Sequence, residues 1–202
     1  PNRDGLIDYI AHCKRNFAPG TDMTYSCLNF ITLQRIIETV SGEDLRAYAH
    51  HHVFDLLGMK NTDYCPSKAM AKLCAPTEKQ PDGKCLLGVV HDPLARIMNG
   101  GISGNAGVFT TADDVAILCA ALQNGGEWNG QRILSPAAVK AMRTVPRARA
   151  EWGRSLGWDV FSPYANNTGD LLSSEAYGHT GFTGTSIVID PVNDLSIILL
   201  TN

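Results

Sequence analysis

The sequence is short of the features that settle a function at once. It has no apolar run approaching the roughly 20 residues that a membrane-crossing helix needs, so no span is expected. It has no basic stripe. Lysine and arginine number 17 against 20 aspartates and glutamates, for a formal net charge of −3. Nucleic acid is therefore not an expected partner, because holding a phosphate backbone takes clustered positive charge. The first residues, PNRDGLIDYI, lack the basic start and apolar stretch of a signal peptide. The glycine-rich run Gly100-Gly101-Ile102-Ser103-Gly104-Asn105-Ala106-Gly107 lacks the Gly-Lys-Ser/Thr ending of a phosphate-binding loop. No internal repeat or low-complexity linker is present.

What remains is an ordinary globular composition, 44% hydrophobic and 18% charged over 202 residues, enough for one domain or one and a fraction. The six cysteines are Cys13, Cys27, Cys65, Cys74, Cys85 and Cys119. An even count permits disulfides, but a chain of this size builds its own core without them, so unpaired buried thiols are expected for most. Cys65, Cys74 and Cys85 share one loop-like region where a disulfide is feasible. A zinc site using them with His91 matches no familiar ligand spacing, and no metal or other cofactor is expected. His50-His51-His52 reads as a partly solvated helix face, since consecutive helical residues point apart and cannot converge on one ion. Asn166-Asn167-Thr168 fits a glycosylation acceptor, a short pattern that also arises by chance.

Periodicity orders the chain as helices first and strands last. Leu33, Ile36, Ile37 and Val40 recur at helical spacing, which predicts a helix over 28–40 stopped by Gly42. Ser41-Gly42-Glu43-Asp44 resembles a capping box opening a second helix, which runs to about Leu57 and stops at Gly58. Residues 61–96 are punctuated by four prolines and read as irregular. Thr111-Ala112-Asp113-Asp114 starts a helix carrying Val115, Leu118 and Leu122 on one face and closing at Gly125-Gly126. Ser135-Pro136 starts another, with proline at the first helical position. Residues 156–161 read as strand-like. The β-branched runs 185–189 and 195–201, joined by Asp190-Pro191-Val192-Asn193-Asp194, read as an antiparallel hairpin. The composition boundary suggests a mostly helical part over 1–154 and strands of an α/β part over 155–202. Two or three strands cannot bury both faces alone, so the sheet is expected to draw further elements from sequence beyond both ends.

Two short segments carry chemistry. Tyr25 follows Pro19-Gly20 and precedes a helix, where a turn can project a phenol into a cleft; cations nearby would let it shuttle protons. His179 stands at the head of a β-rich segment between Gly178 and Gly181. Glycines there let a substrate approach the strand edge, and histidine donates or accepts near neutral pH.

These segments sit in a longer pattern: FAPGTDMTYSCLNF, VFDLLGMKNT, APTEKQPDGK, GVVHDPLARIMNGGISGNAGVFTTADDVA, NGGEWNGQRILSP, LGWDVFSPYANNTGDL and YGHTGFTGTSIVIDP. Together they resemble the serine β-lactamase and penicillin-binding superfamily, in its class C β-lactamase-like branch with D-peptidases and esterases. The resemblance implies an α+β fold of β-lactamase/transpeptidase type, an all-helical domain beside an antiparallel sheet with flanking helices, here incomplete at both ends. Tyr25 matches the family's catalytic tyrosine. Cys27 stands where many relatives have asparagine or aspartate, and His179 where they have the lysine of Lys-Thr-Gly. Thr180 and Gly181 match that motif, and the backbone N–H of Phe182 would be one oxyanion donor. Cys27, Thr180, Gly181 and Phe182 are thus the implied substrate-binding residues. Asn105 occupies a position where close relatives commonly have histidine.

The family's third motif, Ser-x-x-Lys, carries the nucleophile. No serine of this chain has lysine three residues on, so the nucleophile is expected outside it, and the chain alone is expected to be inactive. The implied activity is that of a serine hydrolase acting through an acyl-enzyme on a cell-wall D-alanyl peptide, a β-lactam or a small ester, in a bacterial periplasmic or extracytoplasmic setting. The alternative is an inactive binding module of the same fold. Cys27 and His179 lean toward peptidase or esterase activity over efficient β-lactam hydrolysis.

Overall fold

The computed structural model describes residues 1–163 and 169–202; the Asn166-Asn167-Thr168 acceptor pattern lies outside the described residues. In chain order the elements are α1 (Arg3–His12), α2 (Cys27–Ser41), α3 (Leu45–Ala49), α4 (Asp55–Leu57), β1 (Asp63–Tyr64), α5 (Lys68–Ala71), β2 (Val108–Phe109), α6 (Ala112–Gln123), β3 (Glu127–Trp128), β4 (Gln131–Arg132), α7 (Pro136–Arg143), β5 (Tyr177–Thr180), β6 (Ser186–Asp190) and β7 (Leu195–Leu199). Helices with small antiparallel sheets make the chain α+β. The elements form two compact units. One comprises Pro1–His52 and Thr62–Phe109, the other Val53–Asn61 and Thr110–Asn202. Residues 110–154, grouped by composition with the N-terminal helices, belong to the second unit, because α6 packs on β7 and β3.

The first unit is organised by α2. Ser26 caps it by accepting from the Leu28 N–H at 3.2 Å, and Gly42 closes it. Its inward residues are Ile31 and Gln34. The apolar series read from the sequence faces outward: Leu33, Ile36 and Val40 are 49%, 52% and 83% exposed. A polar knot takes the inward position instead. The Gln34 side-chain oxygen accepts from the Gly104 N–H (3.0 Å) and the Asn99 amide (3.3 Å), and its amide donates to the Ile102 carbonyl (3.2 Å) and Glu38 (3.0 Å). Asn99 also donates to the Ser103 hydroxyl at 2.7 Å, which donates to Asn105 at 2.7 Å. Gly104 must lack a side chain, because a Cβ there would run into the Phe30 carbonyl oxygen of α2. The glycine-rich run is thus a loop laid against a helix, and Asn105 ends its hydrogen-bond chain.

Two expectations in this unit change. The cap of α3 is Asp44, whose carboxylate accepts from the Ala47 N–H at 3.0 Å. Ser41 is still helical, and its hydroxyl donates to the Ile37 carbonyl at 2.7 Å. An N-terminal helix not read from the pattern, α1, starts at Asn2, whose side chain accepts from Gly5. Residues 61–96 hold β1, α5 and the start of a π-helical turn over Leu94–Met98. The three histidines 50–52 have three different neighbours: Asp63 for His50, Glu43 for His51 and the Tyr48 ring for His52.

The second unit is a three-stranded antiparallel sheet, β5-β6-β7, covered by helices. The 185–189 and 195–201 runs form the expected hairpin, and β5 adds to its other edge, with Tyr177 opposite Ile189 and His179 opposite Ile187. Thr111 caps α6 and Ser135 caps α7, with Pro136 at the first position, as their sequences require. Val115, Cys119 and Leu122 of α6 and Val139 of α7 bury against Tyr177 and Ile189. Trp158 meets Tyr177 edge-on, with centroids 5.2 Å apart.

Residues 156–161 do not form a strand. Asp159 makes one bridge to Gly178 on the free edge of β5, and its carboxylate then accepts from the Ser162 N–H (3.1 Å) and hydroxyl (2.6 Å), curling the chain away. All six cysteines are free thiols. Only Cys119 is buried; burial pushes its thiol up to about 11 against an opposing hydrogen bond from Ser196. Cys65 and Cys85 are exposed and the rest half-buried, so the expectation of mostly buried thiols is corrected.

Asp190, fully buried, closes the β6–β7 turn. Burial opposes its ionisation. Hydrogen bonds from the Ser173 hydroxyl and N–H, the Asn193 amide and the Val192 N–H outweigh it and hold the carboxyl well below the usual carboxylate range.

Each unit supplies a stability test. Gln34→Ala would leave the Gly104 N–H and the Ile102 carbonyl short of partners and is expected to cost about 2–3 kcal/mol in chemical denaturation. The depressed Asp190 carboxyl stabilises fully above its unfolded value near 4, and that contribution is lost as pH falls through the lower folded value. Asp190→Asn is therefore expected to cost about 2 kcal/mol at pH 7 and to flatten the fall of stability below pH 4. An unchanged acid limb would contradict this role for Asp190.

Candidate active site

The site residues expected from sequence lie in two groups, one in each unit. Tyr25 and Cys27 flank the cap of α2. Before the cap, Thr21 turns the chain by donating from its N–H and hydroxyl to the Ala18 carbonyl, at 3.2 and 2.7 Å. Asn29, one turn into the helix, reaches back to the Thr24 carbonyl at 3.3 Å and braces the segment that carries Tyr25. Ser26 is extended (φ −150°, ψ 135°), so the chain enters the helix at an angle. Tyr25 stands one residue before that cap, 52% exposed, and Cys27 is the first helical residue, half-buried. Its ring is thus half exposed at the helix entry.

His179, Thr180, Gly181 and Phe182 occupy the end of β5 and the turn into β6. Along a strand, alternate residues share a face. Tyr177 and His179 therefore lie on one side, Tyr177 in the core and His179 one step nearer the rim, half-buried. Thr180 is exposed. Gly181 donates its N–H to the Thr185 carbonyl at 2.7 Å, and Gly184 donates to Gly181 at 3.1 Å, closing a tight connection. A Cβ at Gly181 would run into the Thr185 hydroxyl, which gives the motif's glycine a packing reason. Phe182 is at the tip, with its side chain 91% exposed.

The sequence reading missed a group beside His179. The Arg154 guanidinium donates to His179 Nε2 at 3.2 Å and pairs with Asp159 at 3.4 Å. On the other side of the ring, Nδ1 lies 2.7 Å from the Thr180 carbonyl. Guanidinium only donates and a carbonyl only accepts. Both contacts are satisfied together when Nδ1 carries the hydrogen and Nε2 accepts, which assigns the tautomer from the hydrogen-bond pattern. Asp159 is 5% exposed and is itself held by Ser162, so the guanidinium is anchored from behind. No short-range spacing marks Arg154, because its contact with His179 spans 25 residues. Among the described residues, no group of three or more histidine, cysteine or acidic side chains is placed to hold a metal ion. No helix among them is long and apolar enough to cross a membrane.

Comparison with known proteins identifies the family. The model of the Beta-lactamase family matches residues 1–202. A putative D-alanyl-D-alanine carboxypeptidase of Escherichia coli K12 is 33% identical over 212 residues, covering 97% of this chain and 48% of that protein. An N-acetylmuramyl-L-alanine amidase of Bacillus subtilis is 32% identical over 223 residues, covering 99% of this chain and 48% of that protein. The chain thus spans about half the length of the curated relatives it matches. Among solved structures, a penicillin-binding protein homologue from Caulobacter crescentus superposes with a TM-score of 0.72 at 20% identity, over 99% of this chain and 58% of the other. The octameric penicillin-binding protein homologue from Pyrococcus abyssi gives 0.70 at 18%, over 100% and 44%. With the family model matched along its whole length and relatives above 30% identity across nearly all of it, the chain belongs to the β-lactamase family and carries part of that family's α+β fold.

Proposed function

We propose that this chain supplies the tyrosine and His-Thr-Gly segments of a serine hydrolase that works through an acyl-enzyme, with a cell-wall D-alanyl peptide as the favoured acyl donor. The observation that carries the reading is the His179-Thr180-Gly181 motif at the rim end of β5, its histidine locked by hydrogen bonds on both ring nitrogens. Relatives named as carboxypeptidase and amidase favour a cell-wall peptide. The two departures noted in the sequence favour a peptidase or esterase over efficient β-lactam hydrolysis. The Cys27 thiol is a weak hydrogen-bonding substitute for an amide or carboxylate, and His179 replaces an ammonium. β-Lactams and small esters are the secondary substrates of this reading. Peptidoglycan lies outside the cytoplasmic membrane, so the setting is extracytoplasmic.

In the proposed mechanism the serine of a Ser-x-x-Lys segment outside this chain attacks the substrate carbonyl. Its proton passes to the lysine amine, and the Tyr25 hydroxyl relays a proton from the resulting ammonium to the leaving amine, accepting one as it donates its own. The Phe182 N–H, with one N–H from the nucleophile's own segment, would receive the oxyanion as charge develops. Water then attacks the acyl-enzyme with the same groups reversing roles. The edge of β5 beyond Thr180 would accept the extended acyl donor.

Two substitutions in the full-length protein test this reading. Tyr25→Phe is expected to lower kcat for release of terminal D-alanine by about 100-fold or more, while mass spectrometry still detects one fluorophosphonate or penicillin adduct. Phe182→Pro, which deletes the N–H, is expected to lower kcat by about 100- to 1000-fold, whereas Phe182→Ala keeps it within a few-fold. A wild-type protein that forms no adduct and releases no D-alanine would leave the binding-module reading in place of the hydrolase.

A further inference from the structure

We propose that Arg154 is a positioning residue for His179: with Asp159 behind it, it fixes the imidazole as the Nδ1–H tautomer and keeps the ring out of proton transfer. The consequence for the site rests on the hydrolase reading above; the tautomer does not.

The argument is geometric. Arg154 Nη2 lies 3.2 Å from His179 Nε2, and guanidinium has no lone pair to offer, so the ring nitrogen must accept. Nδ1, 2.7 Å from the Thr180 carbonyl, must then donate. A histidine that trades protons needs one nitrogen open to its partner. Here both are engaged within the second unit. His179 is therefore a fixed polar surface at the rim of β5, and proton movement is left to Tyr25 and the lysine of the nucleophile segment.

The guanidinium is placed by three further contacts. Its other arm meets Asp159 at 3.4 Å; that carboxylate accepts from the Ser162 hydroxyl at 2.6 Å; and the Asp159 backbone exchanges two 2.9 Å hydrogen bonds with Gly178, the residue before His179. Arg154 and His179 are thus registered to the same strand from two directions. Rotation of the imidazole would break both of its hydrogen bonds. The charge at this position also changes character. A lysine in the motif would present a mobile ammonium, whereas here a planar cation sits behind the ring and is already paired with Asp159. The site therefore suits a substrate whose recognition at the motif runs through hydrogen bonds to backbone and Thr180 and not through a free ammonium.

The test is long-range proton–nitrogen correlation NMR on the full-length protein labelled with nitrogen-15 at histidine, with the His179 signal identified by its loss in His179→Asn. The expected wild-type pattern is that of the Nδ1–H tautomer. Arg154→Met is expected to abolish that pattern in favour of Nε2–H or an exchanging mixture, and to lower kcat by about tenfold or more with KM within about twofold. Arg154→Lys, which keeps a donor, is expected to restore the Nδ1–H pattern. If Arg154→Met fails to fold because Asp159 is left without its partner, Arg154→Met with Asp159→Asn removes the orphaned charge and carries the same readout. An Nε2–H pattern in the wild type, or an Nδ1–H pattern that survives loss of Arg154, overturns the proposal. Because the tautomer is read without turnover, a protein that hydrolyses nothing would refute the hydrolase reading and leave this result standing.

Discussion

The register of β5 on β6 is the constraint on which the placement of the His179 segment depends. Tyr177 opposite Ile189 and His179 opposite Ile187 put two residues of one strand on one face. The first anchors that face in the core with Cys119 and Leu122; the second is carried to the rim at a distance set by the strand's rise. A slip of one residue would turn Tyr177 out of the core and His179 to the opposite face. Burial of an aromatic side chain worth roughly 2–3 kcal/mol therefore also aims the histidine. The phenol of Tyr177 is held protonated by the same burial, its pKa pushed up to about 12.

Polar networks do in both units what apolar packing alone would not. Gln34 replaces an apolar residue at the buried face of α2 and binds a loop whose backbone needs partners; an aliphatic side chain there would leave the Gly104 N–H and Ile102 carbonyl unsatisfied. Asp190 gathers the turn after β6 and the segment at Ser173 around one carboxylate. Asp159 joins a third segment to the edge of β5 and at the same time anchors Arg154. In each case a single side chain fixes the path of an irregular segment, where no repeating hydrogen-bond ladder exists to do so.

Much of this was legible in the sequence. The caps at Thr111 and Ser135, the stop at Gly42 and the 185–201 hairpin follow from local chemistry, because the groups involved lie within a few residues of one another. The hydrophobic spacing of α2 was read correctly as a helix, but the residues that carry it are not the ones the helix buries. Periodicity gives the angle between residues and not which side meets a neighbour, and here Ile31 and Gln34 turn inward while Leu33 and Val40 do not. The strand-like composition at 156–161 failed for a related reason: β-propensity reports fitness for a pleated surface, and the Asp159 carboxylate diverts the chain after one bridge.

By itself the sequence determined the family, the positions of Tyr25 and of His179-Thr180-Gly181, and most helix ends, since each depends on residue types at short and definite spacings. Tertiary structure alone decided which face of α2 is buried, that residues 110–154 pack with the strands, and that Arg154 and Asp159 stand behind His179. Those outcomes depend on contacts between residues far apart in the chain. The physical reason is that a guanidinium, a carboxylate and an imidazole attract one another by geometry and charge, and only the folded backbone brings them within hydrogen-bonding distance.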